Sequence, residues 1–559
     1  MFRKTDTTPQ LDLFRTPSNL MRKREAKKYD DPTAWHNQFF HLVTSKIEES
    51  AFSSLYKEGN MGAPNASIRT LVAMSILKEG FGCSDEDLFE KCQFDLLTRK
   101  ALGLLSLDDP TPSLDTYYLL RRRICEYEDK TGENLMGQCF QQITGDQIRQ
   151  FKISGKSVRM DSKLIGSNIA WQSRYEIIHS TFRRFMEDGG VFNRLNPSLR
   201  EAVGNILQVD AKKTVYHSDS EAMGKCIASV GQVIYRVLVR LKADESCLLH
   251  RVFHEQYIVE SGVAIPRDKK EISAKSVQNP NDPDADYRKK GDQQIKGYSC
   301  NITETTDEKE KPGLITDVQV KPATAADNSY LIDAVLSCEE VTTSKVESVY
   351  ADGAYQSNDN RTFAQKNNIE LFIAGIQGKR SRFELERQEN FLVVTDRHTG
   401  EVITAQKTKS GKYRIPVEGK NKYRYFTDDQ IEMSALRRDL DAIPIEKEKI
   451  RNNVEATIFQ YCFHTRNNKT RYRGLIKHKL HAYARCLWVN CMRLIIFRTT
   501  ECKRTLSGDF STLFWSIERH IGKIIPNSDS RIFYRLLFLP LRYQITRSTG
   551  FIQNNLITI

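Results

Sequence analysis

Three carboxylates stand where they could share one piece of chemistry: Asp161, Asp352 and Glu455. The run SVRM reads as a strand that ends at Asp161, and VESVYAD as a strand that ends at Asp352. Glu455 lies in EKEKIRNNVEATIFQYCFH, a helical pattern that begins after Pro444. Carboxylates at the ends of neighbouring strands converge on one edge of a sheet, and a helix crossing that edge adds a third. Such a cluster is repulsive alone, because like charges push carboxylate pKa values up. Hard divalent cations relieve the repulsion, and two of them about 3.5–4 Å apart suit phosphodiester chemistry. Each residue also has an ordinary reading. An Asp after a strand starts a turn, Asp352-Gly353 is a turn dipeptide, and Glu455 forms an i, i+4 ion pair with Arg451. For any one residue taken alone the ordinary reading is the default; the three acids in combination are what point to metal chemistry.

Other chemistry is weakly represented. None of the twelve cysteines forms a CxxC pair. Cys462 lies near His464, and His250 and His254 are four apart as on a helix face, but neither pair has a second pair at zinc spacing. Reduced thiols in a core are the expectation.

The elements that must position the acids follow from pattern. From 66 to 126 the spacing is helical: SIRTLVAMSILKEG with Gly80 as C-cap, a helix opened by Ser84, and a third capped by Ser113 or Asp115. That third helix carries Arg121, Arg122 and Arg123, which suits a small DNA-binding or dimerisation bundle. After the strand at Asp161 comes a helical stretch over roughly 168–262, closed by the polar linker SVQNPNDPDADYRKKGDQQ. Strands KGYSCNITET and LITDVQVKPAT follow, then a helix, the strand ending at Asp352, a short helix, and IELFIAG. Short alternating runs from 390 to 427 read as an antiparallel meander.

Charge is unevenly placed. From 456 to the end there are 17 Lys/Arg against four acids, which is the entire net charge of +13; the first 455 residues balance. The excess begins next to Glu455 and is expected to continue its helix, setting Lys469, Arg471, Arg473 and Lys477 beside the acids for a polyanionic partner. No apolar run reaches the roughly 18 residues that span a bilayer, and the start has no apolar signal region, so a cytoplasmic protein is expected.

In order along the chain, VRMDSKLIGSN, DYRKKGDQQIKGYSCNI, LITDVQVKPATAADNS, VYADGAYQS and RNNVEATIFQYCFH resemble the DDE transposases of bacterial insertion sequences. The N-terminal LVAMSILKEGFGCSDEDLFEKC…PSLDTYYLLRRRI is similar to the helical domain that precedes the catalytic domain in many of them. The resemblance implies a mixed α+β or α/β chain with a ribonuclease-H-like core at 151–167 and 286–389. Around that core it implies a basic arm at 1–45, a helical domain at 46–150, a helical insertion and linker at 168–285, a β-meander insertion at 390–440, and C-terminal helices at 441–559. It implies that Asp161, Asp352 and Glu455 are the catalytic acids binding two Mg²⁺ or Mn²⁺ ions. Arg451 matches the Arg of an Arg-x-x-x-Glu helix motif and is expected to face DNA or the active site. The motif's fuller form departs here: Glu448 stands in place of a Tyr and Cys462 in place of a Lys.

The implied activity is cleavage at the ends of the element and transfer of the freed 3′-hydroxyl into target DNA, by a homodimer or larger assembly acting on double-stranded DNA near the nucleoid. Arg121, Arg122, Arg123, Arg451, Lys469, Arg471, Arg473 and Lys477 are the expected DNA contacts. Three other readings compete: a decayed DNA-binding copy, a nuclease that does not join, and an anionic-membrane protein. The intact acids, the N-terminal helical domain and the lack of a clean apolar helix face in the tail weigh against them in turn.

Overall fold

Val158 and Met160 point to one side of a strand and Arg159 and Asp161 to the other, and this alternation builds the centre of the molecule. A computed structural model describes residues 2, 4 and 16–507, except 57–64, 189, 307–310, 376–378, 390, 409–410, 418–419 and 443. Strand β1 (Ser157–Gly166) is followed by a small hairpin, β2 (Tyr257–Glu260) and β3 (Val263–Pro266). Next come β4 (Asp286–Lys290), β5 (Gln293–Thr305), β6 (Ile315–Pro322), β7 (Ser348–Asp352) and β8 (Glu370–Ala374). In the main sheet β6, β5, β1, β7 and β8 lie side by side in that order, and β4 pairs with the first half of β5. β5 runs antiparallel to β1, β4 and β6, whereas β1, β7 and β8 are parallel. The chain is thus a mixed α+β protein with a mixed sheet and a helical N-terminal region.

Both faces of the sheet are covered. Val158, Met160, Val349 and Ala351 pack against Leu331, Ala334, Val335 and Cys338 of the helix Leu331–Thr342. Cys300, Ile302, Ile315 and Val318 share a core with the N-terminal helices and with the long helix Leu475–Ser507. Gly80 shows how tightly these helices meet, since a Cβ there would overlap the Trp488 indole. The helix expected to end at Gly80 therefore continues to Phe81, and Gly82, at φ +66°, caps it. Ser84 and Ser113 cap the next two sites, accepting from the backbone N–H of Asp87 and Thr116.

Two units stand on cores of their own. Residues 174–266 pack Ile178, Phe182, Val230, Ile234 and Phe253 around the β2–β3 hairpin. Its helix Ser220–Leu241 is, among the described residues, the one long and apolar enough to cross a membrane, although no apolar run of that length stands out in the sequence. Ile227, Val230, Ile234 and Val237 turn one side of it into this core. The meander has five strands, β9 (Phe383–Arg387), β10 (Leu392–Asp396), β11 (Val402–Lys407), β12 (Tyr413–Val417) and β13 (Lys420–Phe426), joined neighbour to neighbour.

Several expectations change. Asp161 does not end its strand, because β5 supports β1 for five more residues through Gly166↔Gly297. The polar linker contains β4, which pairs along Asp286↔Gly297 to Lys290↔Gln293. The meander begins with β9, before the expected 390. Trp35, Phe39 and Leu42, inside the expected arm, are buried in the main core. Most of that arm's first fifteen residues and the tail beyond 507 lie outside the described residues.

The basic block does not continue the helix of Glu455. That helix, Val454–Cys462, stops, and a loop runs back to the end of β1 before the long helix starts at Leu475. Asn467 and Asn468 take positive φ of 53° and Gly474 of 89°, conformations that no helix contains.

Candidate active site

β1 and β7 pair in parallel through Ser157↔Ser348, Val158↔Val349 and Arg159↔Tyr350. Continuing this register sets Asp161 opposite Asp352, where the two strands have just parted. The acids therefore come from adjacent strands at one level of the sheet. Asp352 does start a turn: its Oδ1 accepts the Ala354 N–H at 2.5 Å. Asp161 Oδ1 accepts the Ser162 N–H at 2.8 Å. Each carboxylate spends one oxygen on local backbone, and the other is directed to the site.

Arg451 joins the three acids. One of its terminal nitrogens is 3.8 Å from Asp161 Oδ2 and 4.0 Å from Asp352 Oδ2, and the other is 3.7 Å from Glu455 Oε1. The i, i+4 pair foreseen for Glu455 thus exists, and it is part of the cluster. All three distances exceed a hydrogen bond, so the acids surround the guanidinium without being saturated by it. Glu455 remains 68% exposed at its side chain, against 19% for Asp161. Burial pushes the Asp161 carboxyl up, and the Asp352 charge adds to this; the Ser162 N–H and Arg451 pull back, leaving it at about 6.

Residues without a place in the motif reading hold this arrangement. Arg159, two before Asp161 and on the same side of β1, binds Glu304 of β5 at 2.5 Å and donates to the Ile450 carbonyl at 3.1 Å. Glu304 also receives Arg493 at 2.6 Å and the Thr457 hydroxyl at 2.7 Å. Thr457 lies two residues after Glu455, so the network clamps the helix of Glu455 onto β1 and β5. Glu304 is wholly buried. Burial raises its carboxyl, but the charges of Arg493 and Arg159 prevail and hold it below the usual range. The period-two spacing of Arg159 and Asp161 was the available signal; nothing in the sequence marks Glu304 or Arg493.

Three acids around one guanidinium leave a charge of −2, and the point between them already accommodates a cation. That donor set, carboxylate oxygens only, fits a hard divalent ion. As they stand, spread about Arg451, the acids do not form a ready-made metal cluster among the described residues.

The cationic residues fall into two groups. Lys469 donates to the Ile169 carbonyl at 2.7 Å, and Arg471 to the carbonyls of Cys83 and Gly82 at 2.6 and 2.7 Å. Arg121 lies between the Tyr117 and Tyr472 rings, and Arg123 over the Tyr56 ring. Arg121, Arg123 and Lys469 are half-buried, and Arg471, though exposed, is tethered by its two bonds. Arg122, Arg473 and Lys477 are exposed. Arg473 uses its Nε on the Asn168 carbonyl at 2.6 Å, and Arg122 faces Glu126 at 3.7 Å. Burial sets the thiol of Cys462, where the motif has a Lys, at about 11, so it supplies no cation.

A transposase domain (DUF772) matches residues 27–123, and a transposase DDE domain matches residues 266–491. The second match contains Asp352, Arg451 and Glu455; Asp161 precedes it, on the far side of the helical insertion. No curated protein and no solved structure matches the chain. A transposase N-terminal domain followed by a DDE domain in one chain, around converging strand-borne acids, makes this protein a member of the insertion-sequence DDE transposases.

Proposed function

We propose that this transposase cuts DNA at the ends of its element and transfers the freed 3′-hydroxyl into target DNA, on a ribonuclease-H-like core. Asp161, Asp352 and Glu455 are the proposed catalytic acids and the ligands of Mg²⁺ or Mn²⁺. The observation that carries this reading is the convergence of all three on one guanidinium, with Asp161 and Asp352 at the same level of adjacent parallel strands. The strand order β6–β5–β1–β7–β8, with β5 alone running against the other strands of this sheet, supports the choice of core.

In the first step water adds to phosphorus, losing a proton to solvent, and the P–O3′ bond breaks, the leaving 3′-oxygen taking up a proton to become the 3′-hydroxyl. In the second this 3′-hydroxyl adds to a target phosphorus, giving up its proton, and the target's own P–O3′ bond breaks, its 3′-oxygen leaving with a proton from solvent. Divalent cations supply Lewis-acid activation of the attacking oxygen and of the leaving one. The chain's part is position and charge. Ser162 and Ala354 fix the inner oxygens of Asp161 and Asp352 through backbone N–H groups. The Glu304 network sets the helix of Glu455 against the sheet. Arg451 neutralises part of the acid cluster and offers a cation to a phosphate entering it.

The test compares wild type with Asp352→Asn on labelled element-end DNA with Mg²⁺ or Mn²⁺. Cleavage and joining by wild type, lost on the order of 100-fold or more in the variant with DNA binding unchanged, is the expected result. Equal inactivity of both points to a decayed copy, and cutting without joining to a nuclease; either would sink the proposal.

A further inference from the structure

The two basic stretches that the sequence separates by some 350 positions meet in one place. Arg121 and Arg122, from the helix Leu114–Thr131, face Arg471, Arg473 and Lys477 across an open cleft of about 1010 Å³, with Asn168 at one end. We infer that this cleft is a composite track for the phosphate backbone of duplex DNA, gripped jointly by the N-terminal bundle and by the loop at 463–474 with the first turn of the long helix. The inference rests on the transposase reading above and specifies where that enzyme holds its DNA.

Charge and geometry argue for it. From the segment 456–500, which holds no acid, Arg471, Arg473 and Lys477 line the cleft, so the charged residues of that rim are all cations. On the other rim Glu126 and Asp115 flank Arg122, but Arg122 and Glu126 are 68% and 56% exposed and 3.7 Å apart. Such an exposed pair is weak and gives way readily to a phosphate. The third acid, Asp85, is held by Lys78 and the Tyr118 hydroxyl and stands 3.9 Å from Arg121, so it offsets that half-buried arginine and leaves the rim cations Arg122, Arg473 and Lys477 free of it. The floor is rigid: Arg121 is stacked between two tyrosines and Arg471 is bonded to two carbonyls, so the rim charges of Arg122, Arg473 and Lys477 stand on a fixed base.

The cleft is also correctly placed. Asn168 follows the end of β1, to which the basic loop is tied by Gly166 N–H to the Asn468 carbonyl (2.7 Å) and Asn168 N–H to the Tyr472 carbonyl (2.8 Å). From Asp161 to the end of that strand is about 17 Å of strand rise. This corresponds to about five base pairs of B-form DNA. The acids thus stand about half a duplex turn along β1 from the strand end at which the cleft begins.

The experiment measures binding of the full chain to a mixed-sequence duplex of about three helical turns as salt is raised. Each lost phosphate contact lowers the slope of log affinity against log salt by about 0.9. Arg122→Ala, on one rim, is expected to lower the slope by about 1, and Arg473→Ala with Lys477→Ala, on the other, by about 2. Restoring charge with Arg122→Lys and Arg473→Lys should restore the slope, which separates charge from packing, and melting curves of all variants should match wild type. An unchanged slope in either rim variant overturns the shared track. The result is independent of catalysis. A wild type that never cleaves, with both rims still lowering the slope, removes the transposase proposal and leaves the track. A wild type that cleaves, with slopes unaffected, removes the track alone.

Discussion

Two carboxylate sites lie side by side on one face of the sheet and are built on opposite principles. Glu304, opposite Arg159 in the β1–β5 ladder, is closed: wholly buried, and bonded by two arginines and a hydroxyl. Asp161, two residues along the same strand, belongs to an open site, where three acids share one guanidinium at 3.7–4.0 Å. The closed site ties β1, β5, the helix of Glu455 and the long helix together. In the open site the acids keep oxygens facing a common point and a net negative charge. A saturated carboxylate stabilises structure, whereas an unsaturated group of them is poised for a cation and a phosphate.

The contrast can be broken most directly at Glu304. Glu304→Ala leaves the half-buried Arg159 and Arg493 without their shared carboxylate and should cost about 3 kcal/mol, read as a lowered denaturation midpoint. A midpoint that stayed put would show that the closed site is not a clamp.

Asp161→Asn should act in the opposite sense. The folded carboxyl titrates at about 6, above its unfolded value, so the native state takes up the proton first as pH falls. The wild type is accordingly penalised above pH 6 and recovers stability between about 6 and 4. Metal-free Asp161→Asn should therefore be more stable than wild type at pH 7.5, by roughly 2 kcal/mol, with the difference vanishing near pH 4. The difference between the two proteins must be used. Burial holds His464 and His478 at about 4, so in both proteins stability falls as pH drops from 6.5 toward 4. A difference independent of pH would contradict the assignment.

Arg451→Gln removes the cation shared by the acids and should lower metal-free stability by about 1 kcal/mol. It should also enlarge the rise in melting temperature caused by Mg²⁺, because the ion no longer competes with the guanidinium. Equal Mg²⁺ shifts in the two proteins would refute that competition. The smallest effect on stability belongs to Glu455→Gln, within about 0.5 kcal/mol, since its pair with Arg451 is exposed. Its cleavage activity should nevertheless fall on the order of 100-fold. A variant that lost stability but kept activity would reverse its place in the comparison.

The acids themselves were legible because they close or interrupt apolar runs at recognisable spacing, and Arg451 because it is one helical turn from Glu455. The Glu304 clamp was not, because its four members are scattered between Arg159 and Arg493 and each looks like an ordinary surface residue. The helix Trp35–Leu42 looks like part of a polar arm because WHNQFFHL mixes polar and apolar types; His36, Asn37 and Gln38 are nonetheless buried, with side chains bonded to backbone carbonyls. The basic loop is legible as a break, since FHTRNNKTRYRG holds two Asn, two Thr and a Gly; charge continuity with Glu455 alone suggests a helix there.

What the sequence determined by itself is local: alternation that makes β1 and β7, caps such as Ser84 and Ser113, the charge step after Glu455, and the acid types at strand and helix positions. These follow from the nearest few neighbours along the chain. Only the tertiary structure decided which carboxylates are saturated, which cations are anchored, and that Arg122 and Lys477 share a cleft. Those outcomes depend mostly on pairings between residues far apart in the chain, such as Arg159 with Glu304 and Arg122 with Lys477, where register and packing, not local propensity, set the distances.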